Sequence, residues 1–349
     1  MIEVVFDEAT SLKQELDSFL VQRPDFSPYQ HSAWRHSVAA AYGFAAGVIT
    51  YRSEGQLRGF LPFNRVHDPF GRQQVVSLPF CDLGAAIAMD SSVIAQLEQA
   101  FVQLGTTVIR GCELRQQVSE LEGTALDGRK VAMQLQLPNN SAELLASYVP
   151  KLRSQIKKAE KNGLTVEIAT DPSLVAQFYR VYAANMHRLG SPPHSLKWFE
   201  QVAATYAAAD SLLLCVVKYA DQVVGAGFVL RVGSRAVIPW ASTLAEYNHL
   251  APNMLLYWSI QSWLADHGIH YFDFGRSTFG EGTYRFKKQW GAQPVPLKWT
   301  KYKTTGQPEV EQATAAPSRV RPLLETIWRT LPEPMMTSLG SKLRRYITL

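Results

Sequence analysis

The sequence predicts an α/β protein made of two similar domains in tandem, and three observations carry that expectation. The chain has 349 residues, too many for one typical domain and suited to two. Short β-branched and aromatic runs alternate with amphipathic stretches of helical period along its length. The order of these elements also repeats. His31-Ser32 and His194-Ser195, like Gly105 and Gly268, lie the same 163 residues apart. Gly59-Phe60-Leu61 and Gly227-Phe228-Val229 match at a slightly longer offset. A near-constant offset across separate elements marks a duplicated unit.

In the first copy, residues 9–20 read as a helix with Leu12, Leu16, Phe19 and Leu20 on one face. A turn at Ser27-Pro28 leads to a second helix through about Ala41. Residues 47–66 read as a hairpin and 75–80 as a strand ending in a loop at Asp82-Leu83-Gly84. A helix is expected over 91–104 and a strand over 107–110. The second copy opens a helix at Ser191-Pro192-Pro193-His194-Ser195. A hairpin follows over 212–232, then a strand over 236–241, a helix over 253–267 and a strand over 269–274. The joint falls near Pro138-Asn139-Asn140-Ser141, which divides the chain into 1–138, 139–303 and a linker with a basic tail over 304–349.

An apolar fraction of 46% and a charged fraction of 19% describe a folded globular chain. A net charge of +5 does not by itself imply a nucleic-acid binder. Three widely spaced cysteines without a CxxC pair predict a reducing compartment and no disulfide framework. There is no basic leader and no run near the ~20 apolar residues of a membrane span, so a cytoplasmic location is expected.

The stretch with most chemistry runs from Tyr271 to Gly291. Tyr271-Phe272-Asp273-Phe274 reads as a buried strand. It breaks at Gly275 into a glycine-punctuated loop that carries Arg276, Arg285, Lys287 and Lys288. A buried strand that delivers cations from its end is a common way to place catalytic groups. Residues 142–162 read as one helix, whose second part has five cations against one acid. Helical spacing sets Arg153 and Lys157 side by side there, either as a solvated face or as a site for phosphates. The tail over 316–349 has six basic and two acidic residues. Such a tail either lies on an anionic membrane face as a peripheral contact or packs across the domains.

These stretches together resemble the FemAB-like branch of the GNAT acyltransferases. The words that carry the likeness are Leu152-Arg153-Ser154-Gln155-Ile156-Lys157-Lys158-Ala159-Glu160-Lys161-Asn162-Gly163 and Met186-His187-Arg188-Leu189-Gly190-Ser191-Pro192. Asp273-Phe274-Gly275-Arg276-Ser277 and Gly282-Thr283-Tyr284-Arg285-Phe286-Lys287-Lys288-Gln289-Trp290-Gly291 complete the set. Val76-Ser77-Leu78-Pro79-Phe80 with Asp82-Leu83-Gly84 is similar to members linked to exopolysaccharide and protein-sorting loci. The resemblance implies two tandem GNAT-like domains, each a mixed twisted sheet flanked by helices. It implies transfer of an acyl or aminoacyl group to an amine of a cell-envelope precursor, a peptidoglycan peptide or an exopolysaccharide amino sugar, without metal or bound cofactor.

Carried over by position, Phe286 and Lys287 match the pair at the reacting carbonyl in peptidoglycan-bridge enzymes. Asp273 and His187 are candidates for a proton relay. Arg276 and Tyr284 are candidates for positioning the acceptor, and Arg153 and Lys157 for holding phosphates; Arg188 and Tyr247 complete the substrate-binding candidates. The segment 242–253 lacks the glycine-rich word that binds pyrophosphate at a helix start in acetyl-CoA-dependent GNATs. The donor is therefore left between acyl-CoA and aminoacyl-tRNA, and the acceptor as a small-molecule or lipid-linked envelope precursor. The alternative is a non-catalytic binding protein that docks on an anionic lipid carrier, a membrane surface or RNA. The first copy has Cys112-Glu113-Leu114-Arg115 after its corresponding strand and no Phe-Lys-Lys word, which confines the expected chemistry to the second copy.

Overall fold

A computed structural model describes residues 1–6, 8–118, 126–309, 326 and 328–348. Most of the expected linker, and the apolar positions Leu323, Leu324 and Ile327 of the tail, lie outside the described residues. The chain forms two compact units that interleave in sequence. Unit 1 comprises Met1–Ala132, Val295–Glu311 and Tyr346–Leu349, and unit 2 comprises Met133–Pro294 and Gln312–Arg345. This differs from the three consecutive segments expected at 1–138, 139–303 and 304–349. The strand following the Phe-Lys-Lys word returns to unit 1, and the described helix of the tail packs on unit 2.

Unit 1 contains β1 (Ile2–Phe6), α1 (Thr10–Val21), α2 (Ser32–Tyr42), β2 (Ala45–Ser53), β3 (Gln56–His67), β4 (Gln73–Val76), β5 (Ile87–Ala88), α3 (Ser91–Gly105) and β6 (Cys112–Gln117). Its sheet runs β1-β2-β3-β4-β6. β4 and β6 pair in parallel, and the β1–β2, β2–β3 and β3–β4 pairs are antiparallel. The later β13 (Gln293–Tyr302) adds to β6 antiparallel, from Leu297 opposite Gln117 to Tyr302 opposite Cys112. α3 packs Val93, Leu97 and Phe101 onto Ile49, Leu61, Phe63 and Leu114 of the sheet. Such burial is worth roughly 1.5–3 kcal/mol per large side chain.

Two expected strands are corrected here. Residues 107–110 form a turn, and the strand begins at Cys112. Its polar sequence hides a buried strand because Glu113 and Arg115 neutralise each other inside, 2.7 Å apart. The strand expected over 75–80 ends at Val76, because Leu78 and Phe80 take φ of 65° and 67° and cannot continue a ladder.

Unit 2 takes up the end of β7 (Lys130–Gln136). It continues through α4 (Ser141–Ser147), α5 (Pro150–Lys161), β8 (Leu164–Ala169), α6 (Val175–Leu189), α7 (Leu196–Ala208), β9 (Leu212–Tyr219), β10 (Gln222–Val232), β11 (Arg235–Thr243), α8 (Pro252–Asp266), β12 (Tyr271–Thr278) and α9 (Gly282–Lys288). Its sheet runs β7-β12-β11-β10-β9-β8. The succession β8-α6-α7-β9-β10-β11-α8-β12 repeats that of β1-α1-α2-β2-β3-β4-α3-β6. The single helix expected over 142–162 is two helices. Pro150 forces Val149 to an extended ψ of 148° and supplies no N–H, so α4 stops and α5 starts afresh. One side of the sheet is closed by an aromatic cluster in which Phe178, Phe199 and Trp240 surround Phe228 at ring distances of 5.4–5.9 Å.

The described part of the tail forms α10 (Glu333–Arg344), which packs on α6 and on the loop after it. A Cβ on Gly340 would stand 2.5 Å from Pro193 Cδ, so only glycine permits this approach. Arg344 Nε donates to His194 Nε2 at 3.2 Å. His187 Nε2 lies 2.9 Å from the Leu331 carbonyl. Arg329 reaches the Leu189 carbonyl at 3.4 Å. Among the described residues no helix is long and apolar enough to cross a membrane.

Burial, reinforced by the Arg344 cation, holds His194 well below the ordinary histidine value of 6.5. Above that value both folded and unfolded chains leave it neutral. Below it the unfolded chain takes up a proton that the folded chain refuses, so stability falls as pH falls. Urea unfolding is expected to show a midpoint that declines from pH 6.5 to pH 5, and the decline shrinks in His194→Gln. An equal slope in both proteins would place the acid sensitivity elsewhere.

Candidate active site

The site begins where two parallel strands stop pairing. β11 and β12 form a parallel ladder from Arg235–Tyr271 to Val237–Asp273. Both strands then continue, β11 to Thr243 and β12 to Thr278, without further mutual pairing. This gap in pairing, the β11–β12 opening, lies toward their C-terminal ends, where parallel sheets place ligands.

β12 makes its own turn at that point. Gly275 has φ of 73°, a conformation glycine adopts without the cost a Cβ imposes. Asp273 Oδ1 accepts from Gly275 N at 2.7 Å and fixes the turn, while Gln134 Nε2 reaches Oδ2 at 3.4 Å. The strand's displaced carbonyls then meet a cation. Lys287 on α9 is buried, and its Nζ donates to the carbonyls of Gly275 and Arg276 at 3.0 and 2.9 Å. A full charge inside a protein is tolerable only with such partners.

The sequence-expected residues divide into four places. Lys287, Phe286, Asp273, Arg276 and Tyr284 come together on β12 and α9. Tyr284 is buried against Phe279, with centroids 4.6 Å apart. Arg153 and Lys157 lie on α5. His187 and Arg188 sit at the end of α6, His187 against Leu331 and Arg188 on Asn185 Oδ1 at 2.9 Å. Tyr247 donates its hydroxyl to Gln222 Oε1 at 2.8 Å, on the β9–β10 hairpin. His187, Arg188 and Tyr247 therefore have partners outside the β12–α9 cluster.

Sequence reasoning overlooked the wall of this cluster. Tyr257 of α8 stacks on Phe274 at 5.5 Å and meets Phe286 edge-on at 5.2 Å. Trp290 and Tyr148 extend the wall, 5.6 Å apart. Burial pushes the Tyr257 phenol well above its ordinary range, so it stays neutral. Among the described residues, buried Ser277 Oγ and Trp290 Nε1 have no hydrogen-bond partner. In the sequence Tyr257 is one of three aromatics in α8, with Trp258 and Trp263, and only the tertiary contact singles it out.

α4 and α5 pack against the same α8. Leu152, Ile156 and Ala159 face inward, and the cations face out. Arg153, Lys157, Lys158 and Lys161, with Ser154 and the apolar Ala142, Leu145 and Ala146 of α4, line an open groove of about 890 Å³. The groove's lining contains no acid.

A pyrophosphate cradle at the start of α8 is poorly provided. Residues 245–250 form a 3₁₀ turn, Ala251 takes φ of 61°, and Pro252 at the first helical position removes an N–H. Among the described residues no group of three His, Cys, Asp or Glu is placed to hold a metal ion. The three cysteines are buried and unpaired in disulfides, and burial raises their thiols out of the reactive range.

Unit 1 fills its own opening. Beyond the short β4–β6 ladder, Arg115 is fully buried and donates to the Cys81 carbonyl at 2.8 Å and to Thr348 Oγ1 at 3.2 Å. Its guanidinium also lies over the Trp299 ring. A Cβ on Gly84 would stand 1.7 Å from the Ser77 carbonyl oxygen. The Val76–Gly84 words thus form a plug.

Residues 146–288 match the acetyltransferase (GNAT) domain family, a span that includes α5, the β11–β12 opening and α9. The chain is also similar to the UDP-N-acetylmuramoylpentapeptide-lysine N(6)-alanyltransferase of Weissella viridescens, 22% identical over 128 residues. That match covers 37% of this chain and only 38% of the relative's length. In fold it resembles the crystal structure of FemX, with a TM-score of 0.64 at 14% identity over 84% of this chain and 95% of that one. It also resembles a tandem GNAT protein from the clavulanic acid biosynthesis pathway, with a TM-score of 0.53 at 12% identity over 89% and 100%. The family match thus lies within unit 2, and the chain as a whole shares the fold of a tandem GNAT protein. Both the curated relative and the FemX structure are what the chain is similar to within that superfamily.

Asp273→Asn keeps an oxygen that accepts from Gly275 N and removes the basic carboxylate. Asp273→Ala loses both. If Asp273 acts by shaping the turn, the Asn variant retains the wild-type unfolding midpoint while Ala loses about 0.5–1.5 kcal/mol. Equal stability of all three proteins would count against that role.

Proposed function

We propose that the chain is an N-acyltransferase that moves an acyl or aminoacyl group from an activated donor to an amine of a cell-envelope precursor. The acceptor is the side-chain amine of a peptidoglycan peptide or an amino sugar of an exopolysaccharide, on a small-molecule or lipid-linked carrier. The observation that carries this reading is the buried Lys287 ammonium, aimed by two β12 carbonyls beside the β11–β12 opening and walled by Phe286 and Tyr257.

Aminolysis of an ester or thioester passes through a tetrahedral oxyanion. The amine nitrogen forms a bond to the carbonyl carbon, negative charge gathers on the carbonyl oxygen, and collapse breaks the bond to the leaving oxygen or sulfur, which takes up the proton the amine gives up. A fixed positive charge in a site poor in water stabilises that oxygen more than the ground-state carbonyl. In this reading Phe286 packs against the donor's acyl end, Arg276 and Tyr284 position the acceptor, and Asp273 keeps the carbonyls aimed. Arg153 and Lys157 in the α5 groove hold donor phosphates. Aminoacyl-tRNA suits this arrangement better than CoA, because the cations lie on α5 and the α8 start offers a poor pyrophosphate cradle. A cytoplasmic enzyme working at the inner membrane face fits a lipid-linked acceptor.

Lys287→Ala is expected to lower kcat by about 10²–10³, the usual loss of one oxyanion donor, with little change in KM. Circular dichroism should show a folded protein. Arg153→Glu with Lys157→Glu should instead raise the donor's KM and flatten its salt dependence. A fully active Lys287→Ala enzyme would sink the catalytic assignment. No transfer from either donor class by the wild type, with salt-sensitive binding intact, would favour a non-catalytic binding role.

A further inference from the structure

α10 has one face clasped and another open. Met336 is fully buried and Gly340 meets Pro193, while Arg344 bonds to His194. These positions are four residues apart and form the inward ridge. The neighbouring ridge, Met335, Leu339 and Leu343, is 52%, 45% and 49% exposed. With a rise of 1.5 Å per residue, it makes an apolar stripe about 12 Å long. Lys342 is exposed beside it, and Arg329 is exposed just before the helix. In sequence the segment 333–344 contains one acid, nine positions before Lys342. The clasp fixes which side faces outward: with Arg344, Gly340 and Met336 engaged, rotation would break those contacts.

Three half-exposed side chains offer roughly 300 Å² at most, against about 800 Å² per partner in a stable protein complex. A stripe of Met and Leu beside cations is instead what an interfacial helix presents to anionic lipid. We propose that this face of α10 docks the protein peripherally on an anionic bilayer, with Met335, Leu339 and Leu343 entering the headgroup boundary and Lys342 meeting lipid phosphates. The docking stands on the helix geometry alone and is read without turnover, so its failure would leave the transfer reading untouched.

The test is co-sedimentation of the full chain with phosphatidylcholine vesicles, with or without about one third phosphatidylglycerol. Binding is expected with the anionic vesicles and not with the neutral ones, and it weakens as salt rises. Leu339→Ser with Leu343→Ser should lower partitioning about tenfold or more. Lys342→Glu, which keeps the stripe, should lower it about fivefold or more. Both sets of changes are at exposed positions, so thermal unfolding should match the wild type. No binding to anionic vesicles, or undiminished binding of the double variant, would overturn the proposal. So would concentration-dependent self-association that the double variant abolishes in the absence of lipid binding, since the stripe would then be a contact between copies.

Discussion

A parallel ladder that ends while its strands continue leaves backbone groups that must find other partners. Both units face this constraint, and each meets it differently. In unit 1, Arg115, the Ser77–Gly84 loop and Thr348 occupy the space beyond β4 and β6. In unit 2, Asp273 turns the strand at Gly275, and Lys287 takes up the carbonyls of Gly275 and Arg276. The first solution closes the opening. The second leaves a charge at its edge. A cation recruited for backbone satisfaction is already desolvated and oriented, which is the state electrostatic catalysis requires.

The fold and the placing of the β12–α9 side chains together were largely legible in the sequence, for reasons that can be located. Tyr271-Phe272-Asp273-Phe274-Gly275 combines strand propensity with a glycine where positive φ is needed, and both signals are local. The repeat was legible because His31 and His194 cap or adjoin helices in matching places. β6 was misplaced because its burial depends on a neutralising pair, Glu113 with Arg115, which periodicity cannot reveal. The long helix over 142–162 was a misreading of Pro150, whose local rule was available and was overruled by the apolar pattern on either side.

The candidate site was legible in part. The word that holds Phe286 and Lys287 marks them as candidates, whereas the contacts of Tyr257, Trp290 and Ser277 with that cluster are tertiary and leave no local signal. His187, Arg188 and Tyr247 carried suitable chemistry yet take partners elsewhere. The interleaving of the units was equally hidden, since the pairing of β13 with β6 links residues nearly two hundred positions apart.

That interleaving has a consequence for how the protein is made. β6 leaves the ribosome long before β13, which follows only after nearly all of unit 2 has been translated. At ordinary rates the wait is roughly 10–40 s. During it, β6 is an unprotected edge next to a plug that still lacks Thr348. Unit 2, whose sheet strands are contiguous from β7 to β12, has all of them available first. The nascent chain thus holds every strand of the unit 2 sheet while the unit 1 sheet is still incomplete, and its exposure to misassociation is concentrated on unit 1.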